Sequence, residues 1–265
     1  MFDIAAGGRK TVVGMVHLGA LPGTPLYDAD RGMAGLIDDA AADLRALQAG
    51  GIDAVMFGNE NDRPYSLKAP QASVAAMSAI VAALRGELRV PFGVNYLWDP
   101  VASVAIAVAT GAAFVREIFT GVYASDMGLW VPDAEGAARA RRQLDRRDLK
   151  FLFNINAEFA APLDTRPIAL RARSAVFSSL ADAILVSGPI TGQAVDESAL
   201  AQVREAVPAV PVLANTGVTI DNVAAILKLA DGCIVGTHLK VDGVTWNKVD
   251  GERVKRFMDH VGRLR

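Results

Sequence analysis

The sequence predicts a single (β/α)₈ barrel, a TIM barrel with eight parallel strands, as one domain over residues 1–265. Short β-branched runs alternate with longer helical patterns along the whole chain, which is typical of repeated strand–helix units. The length of 265 residues matches the roughly 250 that one such barrel uses. Several connections after strands are long, whereas those after helices are short. A doubly wound open sheet shares the alternation, but the first loop has no G-x-G-x-x-G sequence.

The eight strands are expected where runs of Val, Ile, Leu and Phe are bounded by polar residues or glycine. They fall near 11–16, 52–57, 90–96, 113–118, 150–155, 183–186, 210–214 and 232–235. Helices fill the intervals. The first is predicted over Gly32–Ala49, because Leu36, Ala40, Leu44 and Leu47 share one helical face and two glycines follow.

Composition excludes several classes of function. The 27 Lys and Arg against 29 Asp and Glu give a net charge of −2, so nothing attracts nucleic acid or anionic lipid in general. Acidic residues interrupt the basic stretch 139–150, which favours a solvated helix face. The single cysteine, Cys233, cannot form an intramolecular disulfide and lies in an apolar run typical of a core. No membrane span or secretory signal is indicated, so we expect a cytoplasmic protein.

The fifth strand carries the first candidate site residues. Asn154, Asn156 and Glu158 alternate with apolar residues, so their side chains share one face, and near the carboxyl end that face is the barrel mouth. We expect the two asparagines to bind substrate and Glu158 to act in catalysis. A capping or loop-bracing role is the alternative.

Other strand ends supply further ionisable groups. His17 is a candidate general acid or base, although it could also be a metal ligand or a hydrogen-bonded loop residue. Glu60 and Glu158 are the best general-base candidates, because burial raises the pKa of a carboxyl unless a cation such as Arg116 opposes it. Arg116 is expected to face the barrel interior, with Glu117 bracing the outside. It could bind a substrate anion or neutralise one of the glutamates.

Asn59, Asp62 and Asn95 follow strands two and three and are expected to bind substrate. No sequence pattern supports zinc, and the metal ligands stay unknown, but carboxylates and substrate oxygens could hold Mg²⁺. No lysine lies at a strand end as a Schiff-base mechanism needs, since Lys150 begins strand five. Ser187 lacks a nucleophile-elbow sequence, which disfavours serine hydrolysis.

The loops after strands seven and eight predict a phosphate site. Their glycines allow backbone N–H groups to approach an anion, and a short helix near residue 237 could add its positive end. The glycines could instead serve only tight turns. The predicted phosphate-binding residues are Asn215, Thr216, Gly217, Gly236, Thr237 and Lys240.

Several segments resemble the BtpA family, and together they span nearly the whole chain. They include VGMVHLGALPGTP at 13–25, NDRPY at 61–65, PFGVNYLWD at 91–99 and DGCIVGTHLKVDG at 231–243. The resemblance implies a barrel similar to phosphate-binding TIM barrels, in a family linked to photosystem I biogenesis or to carbohydrate utilisation. It also implies that His17, Asn59, Asp62, Asn95 and Arg116 are family-pattern positions. The chain departs from the pattern at Gly58 and over 154–159.

These observations lead to one functional hypothesis and one alternative. We expect a carbohydrate-metabolism enzyme, an isomerase, epimerase or non-imine lyase, acting by acid–base catalysis on a small sugar phosphate or related polyhydroxy acid. The alternative is a non-catalytic assembly or stability factor that binds a protein partner or a metabolite. A homo-oligomer is expected in either case.

Overall fold

The structure is a computed structural model that describes residue 4 and residues 8–265. Eight parallel strands close into a barrel in the order β1-β11-β10-β9-β7-β4-β3-β2, which confirms the predicted fold. The barrel strands are β1 (Thr11–His17), β2 (Ala54–Gly58), β3 (Phe92–Asn95), β4 (Phe114–Glu117), β7 (Lys150–Asn154), β9 (Ala183–Ser187), β10 (Val212–Asn215) and β11 (Gly232–Val235).

Helices surround the barrel. They are α1 (Gly32–Ala49), α2 (Gln71–Ala83), α3 (Pro100–Thr110), α4 (Ala134–Gln143), α5 (Ile168–Ser179), α6 (Glu197–Ala206), α7 (Val223–Leu229) and α8 (Gly251–Gly262). Four begin at an aspartate whose carboxylate accepts backbone N–H bonds of the first turn, namely Asp99, Asp133, Asp196 and Asp250. Among residue 4 and residues 8–265, no helix could cross a membrane.

Strand alternation divides the core into two parts. On β1, Val12 and Val16 pack outward against the helices, whereas Val13 and Met15 pack inside the barrel. The same alternation on neighbouring strands places apolar side chains inside the lower barrel and polar ones near its carboxyl end. The polar residues that continue the inward positions are His17, Asn95, Arg116, Asn154, Ser187 and Asn215. The mouth of the barrel is therefore polar.

A second, smaller sheet covers part of the mouth and was not predicted from the sequence. It is antiparallel, in the order β6-β5-β8, and consists of β5 (Tyr123–Ser125), β6 (Gly128–Trp130) and β8 (Ala160–Pro162). Its Tyr123 and Trp130 pack with Trp98, which follows β3. Trp98 and Trp130 meet edge to face with their ring centroids 4.9 Å apart. This aromatic cluster fixes the loops after β3, β4 and β7 around the mouth.

Candidate functional site

A cavity of about 70 Å³ lies at the carboxyl ends of the barrel strands. That volume holds several water molecules or one small chemical group. Ten of the residues singled out in the sequence lie on its wall: His17, Glu60, Arg116, Asn154, Glu158, Asn215, Thr216, Gly217, Gly236 and Thr237. The fold therefore brings together side chains that are far apart in the chain.

Glu60 is the carboxyl in the cavity with the fewest partners. Its side chain is buried, and no hydrogen-bond partner exists for Oε2 among the described residues. Desolvation raises the pKa of Glu60 to about 7, although Arg116 and Lys240 oppose that rise. A Cβ at Gly58, the last residue of β2, would lie 2.6 Å from both carboxyl oxygens, so the glycine makes room for them. Glu60 can therefore give or take a proton near neutral pH.

His17 ends β1 and lies beside Glu60. Its Nε2 is 3.8 Å from Glu60 Oε1, and its Nδ1 is 3.5 Å from the carbonyl oxygen of Thr245. Burial lowers the pKa of His17 to about 3, and the positive charges of Lys240 and Arg116 add to that effect. The imidazole is neutral at physiological pH, so its contact with Glu60 is not an ion pair there. It can donate or accept a hydrogen bond but does not supply a charge.

Arg116 faces the cavity, as expected, and two of its three nitrogens have partners. Nη1 donates to Asn95 Oδ1 at 2.8 Å, and Nη2 donates to Glu158 Oε1 at 3.2 Å. The other oxygen of Glu158 accepts a bond from the hydroxyl of Thr191 at 2.9 Å. Arg116 thus carries a positive charge that Glu158 balances inside the mouth.

The expectation that Glu117 would brace the outside of the barrel is wrong. Glu117 lines the same cavity as Arg116. It is the last residue of β4, where the chain leaves the strand and strict alternation no longer applies. Its Oε1 accepts bonds from Asn95 Nδ2 at 2.7 Å and from the backbone of Trp98 at 2.8 Å. Burial raises the pKa of Glu117 to about 7, opposed by Arg116.

The asparagines of β7 and its loop have different roles. Asn215 Nδ2 donates to Ser187 Oγ at 2.7 Å, and that hydroxyl donates to Asn154 Oδ1 at 3.0 Å. Asn154 Nδ2 is left without a partner in the part of the chain that the structure describes. Asn156 instead exchanges two hydrogen bonds with the backbone of Ser187 and does not line the cavity. Asn156 is thus a loop brace.

The loops after β10 and β11 form one wall of the cavity, where phosphate binding was predicted. The hydroxyl of Thr216 accepts a bond from the backbone of Gly188 and donates to the carbonyl of Gln193. It therefore braces a neighbouring loop. Gly217 has a left-handed φ of 59°, and a Cβ there would lie 2.2 Å from Gln193 backbone atoms. The Thr237 and Thr245 hydroxyls are 2.9 Å apart.

Lys240 does not line the cavity, contrary to the expectation that it would bind phosphate directly. Its Nζ lies 2.6 Å from Asp43 Oδ2, and the lysine is only 1% exposed. The second oxygen of Asp43 accepts the backbone N–H of Val249. The lysine thus anchors the loop after β11 to α1. It acts on the cavity only through the electrostatic effect of its charge on His17 and Glu60.

Asn59 and Asp62 also lie off the central cavity and line a separate pocket of about 140 Å³. Asn59 Oδ1 accepts the backbone N–H of Leu97, and Asn59 Nδ2 donates to Asp62 Oδ2. Asp62 Oδ1 accepts the backbone N–H of Leu21. These bonds join the loops after β1, β2 and β3, so the two residues hold the rim together. Asn95 likewise holds Arg116 and Glu117 in place.

Three of the six described non-glycine residues with a left-handed φ line the central cavity. Trp98, Phe159 and Thr216 line it, and they have φ values of 77°, 56° and 71°. Bulky and β-branched residues rarely adopt the left-handed region, and each such residue costs about 1–3 kcal/mol. Such strain persists where tertiary contacts fix the geometry, and it is common at ligand sites. The sequence did not indicate Trp98 as a site residue.

The structure shows no candidate metal site within residue 4 and residues 8–265. No group of three or more His, Cys, Asp or Glu side chains there could hold a metal ion.

Comparison with known proteins places this arrangement in a family. The family model described as the BtpA family matches residues 8–263. The chain belongs to the BtpA family. It is 49% identical to the sgc region protein SgcQ of Escherichia coli, covering 98% of the chain and 97% of SgcQ. It is 32% identical to the photosystem I biogenesis protein BtpA of Synechocystis, covering 95% of the chain and 88% of that relative.

Solved structures share the fold of this BtpA family member at low sequence identity. A geranylgeranylglyceryl phosphate synthase from Thermoplasma acidophilum superposes with a TM-score of 0.62 at 13% identity, covering 98% of this chain and 96% of that one. A dihydropteroate synthase from Burkholderia cenocepacia gives a TM-score of 0.61 at 18% identity, with coverage of 97% and 91%. Both are TIM-barrel enzymes, and at these identities they show the fold alone.

Proposed function

We propose that this protein is an enzyme that transfers protons on a small polyhydroxylated substrate, a sugar phosphate or a related sugar acid, in the barrel-mouth cavity. One observation carries the proposal: Glu60 is buried there, its pKa is raised to about 7, and its Oε2 has no partner among the described residues. A carboxyl with such a pKa is matched to general acid–base work at neutral pH. Structural carboxylates are usually paired instead.

The neighbouring side chains fit supporting roles. His17 is neutral and lies 3.8 Å from Glu60, so it can hold a substrate hydroxyl or carbonyl by a hydrogen bond without protonating it. The positive charge of Arg116 stabilises negative charge that develops on substrate oxygen. The loops at Gly217 and Gly236 also line this cavity, and a phosphate of the substrate would bind backbone N–H groups there. An isomerase, epimerase or non-imine lyase needs no more than these groups.

Deuterium incorporation tests the proposal without knowledge of the product. The protein is incubated in D₂O with a panel of sugar phosphates and sugar acids, with and without Mg²⁺, and each compound is analysed by mass spectrometry. We expect at least one compound to gain deuterium or change into an isomer or a cleavage product. Glu60→Gln should abolish that reaction, whereas Glu205→Gln, which changes an exposed carboxyl on α6, should leave it unchanged. Equal activity of Glu60→Gln and the native protein would overturn the assignment.

A second function has a specific observation in its favour. The photosystem I biogenesis protein BtpA of Synechocystis is a relative over most of the chain, and its name refers to biogenesis and not to a catalysed reaction. A binding protein would use the same cavity without turnover. Absence of deuterium exchange with every compound, together with a protein partner that co-purifies with this chain, would favour that function.

A further inference from the structure

Four buried polar atoms without hydrogen-bond partners belong to side chains that line the central cavity. They are Glu60 Oε2, Arg116 Nε, Asn154 Nδ2 and Trp98 Nε1. In the described residues only Arg63 and Arg171 have a further side-chain atom of this kind, and neither lines the cavity. Leaving a buried polar group unpaired costs roughly 1–3 kcal/mol, so native structures keep few of them. Their concentration here indicates that a ligand supplies the missing partners.

The chemistry of these atoms defines what the ligand must offer. Arg116 Nε, Asn154 Nδ2 and Trp98 Nε1 are all N–H donors and cannot accept a hydrogen bond. Their other contacts hold them in place: Arg116 by Asn95 and Glu158, and Asn154 by Ser187. Three unpartnered donors on residues that line one cavity need a group with several lone pairs and no hydrogen of its own. An ionised carboxylate, with two oxygens and about four lone-pair sites, meets that need.

Charge selects a carboxylate over a phosphate at this position. Arg116 is a cation on the cavity wall, and Glu158 already balances it. Glu60 and Glu117 face the same space, His17 is neutral, and Lys240 is paired with Asp43 behind the wall. A dianionic phosphate would add two negative charges beside three carboxyl groups, whereas a carboxylate adds one and is planar like the guanidinium. The phosphate is better placed at the loops after β10 and β11.

We propose that the donors of Arg116, Asn154 and Trp98 form a receptor for a carboxylate of the substrate, which makes the substrate a sugar acid. The inference rests on the proposed function for its site, and it narrows the substrate class from sugar phosphates in general to acids that also carry hydroxyl groups. The three donor atoms are buried and unpartnered on residues that line one cavity, so a carboxylate bound there can supply the acceptors that they lack.

Matched ligand pairs test this proposal by binding, without turnover. Aldonic acids with four to six carbons, and their terminal phosphates, are compared with the corresponding alditols and alditol phosphates, which carry CH₂OH in place of the carboxylate. Affinities are measured by calorimetry on the full chain. We expect at least one acid to bind about ten-fold or more tightly than its alditol. Equal binding within every pair, or no binding of any acid, would overturn the proposal.

Two tryptophan variants locate the receptor. Trp98→Phe keeps an aromatic ring but removes the indole N–H, and it should weaken binding of the acid about ten-fold while leaving binding of the alditol unchanged. Trp130→Phe is the matched control, because Trp130 packs on Trp98 but does not line the cavity. If the acid binds Trp98→Phe as tightly as the native protein, the indole is not part of the receptor.

The same measurements separate this inference from the proposed function. In Glu60→Gln the receptor donors remain, so the preference for the acid should persist although deuterium exchange is lost. Acid preference without any exchange would leave the receptor standing and remove the catalytic assignment. Deuterium exchange without a preference for the acid would keep the catalytic assignment and overturn the carboxylate receptor.

Discussion

Glu60→Gln should make the protein less sensitive to alkaline pH. Folding raises the pKa of Glu60 from 4.5 to about 7, because its carboxyl is buried. Because the pKa is higher in the folded state, the protonated carboxyl favours folding. This contribution to stability is complete below pH 4.5 and is lost as the pH rises through 7. Each pKa unit corresponds to about 1.4 kcal/mol. The loss across this window is therefore about 3 kcal/mol.

Urea unfolding at pH values of about 4.5, 6 and 8 measures this loss. The glutamine of the variant is not charged at any of these pH values. The free energy of unfolding of the variant, relative to that of the native protein, should therefore increase by about 3 kcal/mol from the lowest to the highest pH. Glu117 and His17 also titrate with shifted pKa values, but both proteins contain them and their contributions largely cancel. Glu205→Gln is the control and should show no such trend. A difference between Glu60→Gln and native protein that stays constant with pH would refute the reasoning.

Three further predictions concern stability and reactivity. Lys240→Met leaves the buried carboxylate of Asp43 without its cation and should cost about 3–5 kcal/mol in urea unfolding. Adding Asp43→Asn removes that charge but keeps an oxygen that can accept the Val249 N–H, so it should recover part of the loss; a loss below about 1 kcal/mol for Lys240→Met would contradict this. Gly217→Ala should destabilise by more than about 1 kcal/mol, because φ is 59° and Gln193 blocks the Cβ, whereas Gly86→Ala meets open space and should change little. Cys233, whose pKa burial raises to about 12, should not react with a thiol reagent at mildly alkaline pH until urea unfolds the chain, and reaction of the native protein would show the thiol to be accessible.

The barrel could be predicted from the sequence because its periodicities are local. Alternation along β1 separates Val13 and Met15 from Val12 and Val16, and the same parity places His17 inside the mouth. Helix α1 begins and ends where the apolar spacing and the paired glycines indicate. Strand parity also placed Arg116 and Asn154 correctly, since β4 and β7 are regular up to these residues. Glu158 lines the cavity as well, but it lies in a turn beyond the end of β7.

The remainder of the site depends on contacts between distant residues. Lys240 lies in a loop where a phosphate ligand was expected, but its partner Asp43 is 197 residues away on α1. Glu117 turns into the mouth because it is the last residue of β4, where the chain leaves the strand and alternation no longer fixes the direction of the side chain. The covering sheet is built from strands of three residues, which are too short to show a period of two. The position of Trp98 in the cavity wall could not be predicted, because the sequence shows only that this residue follows β3.

The most direct test of the site is the titration of Glu60 itself. In protein labelled with ¹³C at the glutamate carboxyl, the Glu60 resonance is identified as the one that Glu60→Gln removes. We predict a midpoint near pH 7 for this carboxyl. A midpoint near 4.5 would contradict the assignment of Glu60 as the proton-transferring group of the barrel mouth.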